Sequence, residues 1–290
     1  MQKKYQQKIK INIMELNIDN SRLLALIPNV IHTVTNETTL YDKLQPWLSS
    51  AKSWLESNIL GSYQPEGPLA LLAEKIVVYR AFADAAPSLD LLLSPAGFSV
   101  IDTEGRAPAS KERVERLINA LNSFVDANLA ALLLELHKKK EWAASSEGSW
   151  FRDSFLPDFT HVPRFRGDRN LLQAYRIMRE AAKHFEQLVA ELYLGHEFLE
   201  YVRNTYPAFT DNGAREIYEM IQSAELKYIS ARLIDKKNMG PDSHFIWHLV
   251  RHIIAQLNYW PELKNRWSQE MSDTFNVEPF KNTVKGGFYF

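Results

Sequence analysis

The residues whose types and spacing could do chemistry fall in two places. His244, His248 and His252 recur every four residues near the end of the chain. Histidines at i and i+4 on a helix can clamp one metal ion, as in helical metalloprotease motifs. Here the intervening residues are Phe245, Ile246 and Trp247, so the general-base glutamate of those motifs is missing. A step of four residues also turns about 40° on a helix, so three such histidines do not share one ion comfortably. Phe245, Ile246, Leu249, Val250, Ile253 and Leu257 form an apolar face, with the histidines and Arg251 opposite. The favoured reading is a polar helix face. A metal-dependent enzyme on His244 and His248 is the second alternative, and the expectation is no catalytic residue, no resident metal and no cofactor.

The other candidate is the segment 150–169, which holds Trp150, Phe151, Arg152, Phe155, Phe159, Arg164, Phe165, Arg166 and Arg169. Arginines interleaved with aromatic rings can hold phosphates and stack bases. The same residue types also enrich protein interfaces and anchor irregular segments onto a core. Anchoring plus a subunit contact is preferred, through Trp150, Arg152, Arg164, Arg166 and Arg169, with nucleic-acid binding as the alternative. The aromatic tip Phe288, Tyr289 and Phe290 is a further candidate contact, able to add to a neighbouring sheet edge. The start of a helix near Ser110, flanked by Lys111 and Arg113, is a generic anion seat that reads more simply as a capped terminus. No P-loop, GxGxxG, GxSxG or HExxH motif occurs. Glu180, Glu186 and Glu191 recur on one helix without a Glu-x-x-His pair, which disfavours a di-iron bundle.

The elements that would position these groups are helical. Leu40, Leu44, Leu48, Ala51, Leu55 and Ile59 mark an amphipathic helix, capped by Thr38 or Thr39, with a kink or break expected at Pro46. A second helix runs from about Leu69 to Ala86 and stops at Pro87. Leu89–Ser94 and Phe98–Asp102 read as short strands joined by Pro95-Ala96-Gly97, a β-hairpin over about 89–102. Ser110 is the expected N-cap of a long helix with Val114, Leu117, Leu121, Phe124, Leu132 and Leu136 at helical spacing. His137 to Lys140 read as its solvated cationic end.

Residues 143–149 read as a linker, giving a leader over 1–20 expected to be disordered, an N-terminal helical domain with the hairpin over 21–142, a C-terminal helical domain over 150–275 and a tail over 276–290. In the second domain, helices are expected from Asp168 to about Leu194, then to Tyr206, from the cap Asp211 to about Lys237, from Asp242 or Ser243 to about Trp260, and from Pro261 onward. The fold class is therefore mainly α: helical bundles with one short hairpin.

Bulk composition narrows the classes. The 290 residues are 46% hydrophobic, enough for a sizeable core. Lys and Arg (34) balance Asp and Glu (35), so no global charge draws the chain to nucleic acid or anionic lipid. The absence of cysteine removes disulfides, thiolate metal sites and a Cys nucleophile. The basic start lacks the apolar core of a signal peptide. The sequence's nearest candidate for a membrane span is Phe245–Trp260, which contains His248, Arg251, His252, Gln256 and Asn258. These readings favour a soluble, cytoplasmic protein without a membrane contact.

The run Leu89-Asp90-Leu91-Leu92-Leu93-Ser94-Pro95-Ala96-Gly97-Phe98, followed by Ala107 to Leu117 (APASKERVERL), resembles an uncharacterised family of unknown function found in prophage-like gene clusters. The resemblance is clear over about residues 70–140. It implies a phage structural or assembly protein of head–tail connector or adaptor type, virion-associated, whose partners are further copies of itself and other phage structural proteins. It carries over no catalytic residue.

Overall fold

A computed structural model describes residues 16, 18–27, 38–89, 91–94, 97–100, 110–209, 211–235 and 244–275, with 91–94, 97–100 and 272–275 as backbone. The fold is mainly α, and the chain divides into two compact units. Unit 1 is Met1–Phe151 with Asp158–Thr160; unit 2 is Arg152–Pro157 with His161–Phe290.

Unit 1 is built from α1 (Asn20–Leu26), α2 (Leu40–Leu55), α3 (Pro68–Ala85), α4 (Lys111–Leu136), α5 (Lys140–Ala143) and α6 (Ser146–Arg152) up to Phe151. Thr39 caps α2 by accepting from the Asp42 amide. Pro46 does not break α2, which is one continuous helix. Leu44 and Leu48, buried on either side of the proline, hold it to the core through the missing hydrogen bond. Between α3 and α4, the backbones of β1 (Leu91–Ser94) and β2 (Gly97–Val100) pair antiparallel, Leu91 opposite Val100 and Ser94 opposite Gly97. Gly97, assigned to the turn from sequence, is thus the first residue of β2.

Two expectations are corrected at the end of unit 1. Residues 143–149 are not a linker, because α5 and α6 occupy most of them. His137 is not a solvated end, because it is buried with its ring edge-on to Trp142 at 5.1 Å. Trp142 anchors this region: it is fully buried and its Nε1–H donates to the Ile59 carbonyl at 2.7 Å. Ile59 lies in a five-residue π turn, Glu56–Leu60, that ends α2 and closes at Gly61 with φ 59°. Gly148 lies so close to Trp142 that a Cβ there would sit 1.9 Å from the Trp142 carbonyl oxygen.

Unit 2 holds α7 (Leu171–Val189), α8 (His196–Asn204), α9 (Asn212–Ile229), α10 (His244–Gln256) and α11 (Pro261–Phe275). Asn170 and Asp211 cap α7 and α9 through their side chains. Both helices run on into π turns, Ala190–Leu194 and Ser230–Ile234. The core gathers Phe185, Phe198, Tyr218, Tyr228, Ile246, Val250 and Leu263 from the five helices, with Phe155 from the segment before α7 and Leu257 from the turn after α10. Gly213 meets the Trp260 ring, which would lie 2.6 Å from a Cβ.

Gly148→Ala is expected to lower the stability of the full chain by about 1–3 kcal/mol, as overpacking against a fixed carbonyl does. Trp142→Phe, which keeps a ring but orphans the Ile59 carbonyl, is expected to cost about 1–3 kcal/mol. Urea unfolding midpoints check both, and unchanged midpoints would contradict the packing described.

Candidate functional site

The segment 153–157 has no regular hydrogen-bond ladder, yet Phe155 and Leu156 are buried. Buried backbone groups need partners. They come from helix side chains: the Phe155 carbonyl accepts from Tyr218 Oη at 3.2 Å and Gln222 Nε2 at 2.7 Å, and the Leu156 carbonyl from Tyr175 Oη at 2.8 Å. The Phe155 amide donates to Glu186 Oε1 at 3.4 Å.

Glu186 belongs to a cluster of ionisable groups drawn from α7, α8, α9 and this segment. Its Oε2 accepts from Lys183 Nζ at 3.0 Å and lies 3.6 Å from Arg203 Nη1. Asp153 accepts from Lys183 at 2.8 Å, from Arg203, and from Arg179 at 3.4 Å. A cleft of about 280 Å³ opens on this cluster, lined also by Gln187, His196 and Leu199. Beside Glu186 stands Glu225, whose side chain is fully buried.

No donor reaches either Glu225 oxygen. Burial, and then the negative charge and hydrogen-bonding contact of Glu186, push the Glu225 carboxyl well above the usual carboxylate range. Lys183 and Arg203 pull weakly the other way. The arrangement is satisfied when Glu225 is a neutral acid donating its O–H to Glu186, two carboxyls sharing one proton. Such a pair stores a proton away from solvent and ties α7 to α9. His184, on the same helix, has its pKa lowered by burial and by Arg232, and its Nδ1 is 2.6 Å from Tyr228 Oη.

Sequence reading found Glu186 only as one of a carboxylate series and missed Glu225, because neither has a motif and the two are far apart along the chain. The residues singled out from sequence are dispersed. Phe151, Phe155 and Phe159 are buried and cannot stack bases. Trp150, half-buried in unit 1, is edge-on to Phe151 at 4.9 Å. In unit 2, Arg152 is spent internally, donating to the Tyr206 carbonyl at 3.0 Å. Arg166 is half-buried and donates to the Arg169 carbonyl; Arg169 itself is exposed. Arg164 is exposed and lines a cleft of about 390 Å³ with Lys227, Asp235, Ser223 and Ser230. His244, His248 and His252 are exposed along α10, and among the described residues no group of three or more metal-ligating side chains occurs. Phe288, Tyr289 and Phe290, like the leader before residue 16 and the tail after 275, lie outside the described residues.

Two compact helical units, the second with a buried polar centre, make up the chain. Residues 27–152 match a family model described as "Family of unknown function (DUF6712)". The match ends beside the division between the units, so the similarity belongs to the first of them. No curated protein and no solved structure matches the chain.

The raised Glu225 carboxyl sets a sign for pH dependence. The folded state holds this proton above about pH 4.5, where the unfolded chain has lost it. Its stabilising contribution is complete below that pH and is lost as pH climbs through the raised folded value. Glu225→Gln, which cannot ionise, is therefore expected to gain stability relative to the parent as pH rises from 5 to 8, by up to about 1.4 kcal/mol per pH unit. Urea unfolding at each pH checks this, and a difference independent of pH refutes it.

Proposed function

We propose that this chain is a non-enzymatic assembly protein of phage or prophage origin, of head–tail connector or adaptor type, acting by self-association and by docking on other structural proteins. The observation that carries this reading is the surface of α4. A helix in a monomer ordinarily buries one apolar stripe and exposes a polar one. On α4 the buried stripe is Leu121, Val125, Leu129, Leu132, Leu133 and Leu136, yet Phe124 and Leu134 are 44% exposed on another side. Phe124 shares the helical spacing of Leu121, Leu132 and Leu136, but its ring rests against Tyr79 of α3 at 5.5 Å and leaves much of its area open.

Large side chains left in water on an element this long mark a contact surface. The resemblance of the hairpin and α4 start to a family of prophage-like clusters supplies the biological setting. For the nucleic-acid alternative, Phe151, Phe155 and Phe159 are in the core, while Phe165 is half-buried with the Arg164 guanidinium 5.6 Å over its ring.

Sedimentation velocity of the full chain from about 1 to 100 μM is expected to show concentration-dependent association. A strict monomer, both alone and mixed with the products of neighbouring genes, overturns the proposal.

A further inference from the structure

The exposed side of α4 carries more than two large residues. Leu117, Ala120, Phe124, Ala127, Ala131 and Leu134 follow one another at steps of three, four, three, four and three. That is the a/d spacing of a coiled-coil seam. Of the six, Ala120, Phe124, Ala127 and Leu134 are exposed, and Leu117 and Ala131 are half-buried at the edge. At 3.6 residues per turn the stripe lies about 140° round the helix from the buried leucines, so it is a second seam and not a margin of the first. By length and composition α4 is also long and apolar enough to cross a membrane, which the stretch Phe245–Trp260 is not.

The order of sizes along the seam says what fits it. Read from its two ends, the seam pairs Leu117 with Leu134, Ala120 with Ala131, and Phe124 with Ala127. Leucine meets leucine, alanine meets alanine, and the one large ring meets a small residue. Each pair joins an a to a d position, the layer pattern of antiparallel helices. A surface complementary to its own reversed copy is what a two-fold contact requires.

Charge agrees. Between Arg116 and Glu135 the only charged residue is Asp126, which is half-buried and lies on another side of the helix. Two copies of this seam therefore meet without repulsion along about 27 Å of helix. Reversal also brings the cationic Arg116 of one copy level with Glu135 of the other, and opposes the two helix dipoles. The phenylalanine–alanine layers sit nearest the two-fold axis, where the backbones can approach closely.

We infer that a second copy of this chain covers α4, the two helices antiparallel, with their two-fold axis passing between residues 125 and 126. This rests on the assembly reading and names its contact. One helix pair is a small interface, at or below the lower end of stable complexes, so the pairing is reversible and forms in the micromolar range.

The chain has no cysteine, so single cysteines report the register directly. Leu117→Cys and Leu134→Cys chains are oxidised with diamide, separately and mixed. Antiparallel pairing gives a disulfide only in the mixture, because in either homodimer the two thiols stand about 25 Å apart. Links in both separate samples mean parallel helices and overturn the inference. Ala127→Glu, which sets two carboxylates near the axis, is expected to weaken association at least tenfold with an unchanged melting temperature. Association that survives Ala127→Glu and yields no mixed disulfide overturns this contact but leaves the assembly reading standing; a strict monomer removes both. Flotation of the parent chain with neutral lipid vesicles, lost in Ala127→Glu, makes lipid the occupant and also overturns it.

Discussion

Backbone amides and carbonyls at the ends of helices have no partner within the helix, and a protein made of helices must meet them some other way once they are buried. Here several are met by local caps such as Thr39, Asn170 and Asp211, and others by side chains from distant parts of the same unit. Trp142 supplies the Ile59 carbonyl in the π turn that ends α2. Trp267 supplies the Tyr193 carbonyl in the π turn that ends α7, at 2.9 Å. Glu270 of α11 accepts from the Glu197 and Phe198 amides at 2.9 and 2.7 Å, capping α8 where Gly195 offers no side chain. The rest of each unit depends on these contacts, because each one sets where a helix stops and what it can pack against.

The polar centre of unit 2 extends the same logic to charge. Holding Phe155 in the core brings the backbone of its segment in too, and Tyr175, Tyr218, Gln222 and Glu186 satisfy it. Glu186 then needs cations, provided by Lys183 and Arg203, and Asp153 draws the same two outward. Glu225 is left beside a carboxylate with no donor of its own, a situation resolved by keeping its proton. The charged groups lining its cleft of about 280 Å³, Asp153, Lys183, Glu186 and Arg203, pair with one another.

In unit 1 the informative departure is on the outside. α4 presents two apolar seams on different sides; among the described residues one is buried and the other stays largely exposed, with Phe124 resting on Tyr79. A helix with that pattern exposes more apolar surface than a single buried stripe leaves, which is the feature the proposed association would use.

Much of this was legible in the residues. Thr39 and Asp211 announced helix starts, Pro261 opened the last helix, apolar periodicity placed α2 and α10, and terminal signals placed α3 and α7 within a few residues, since caps and periodicity are local signals. Where those signals misled, a tertiary contact had overruled them: packing of Leu44 and Leu48 carried α2 through Pro46, Trp142 drew His137 inward, and close approach turned the small residues 143–149 into helices around Gly148. The Glu186–Glu225 pair had no sequence signature, because its meaning lies in burial and in proximity across 39 positions of chain (225 − 186). The seam on α4 was written in the spacing of its residues all along. Only the packing of α3 against α4 decided which of its two apolar stripes stayed in water, since periodicity reports that a face is apolar but not whether anything within the chain covers it.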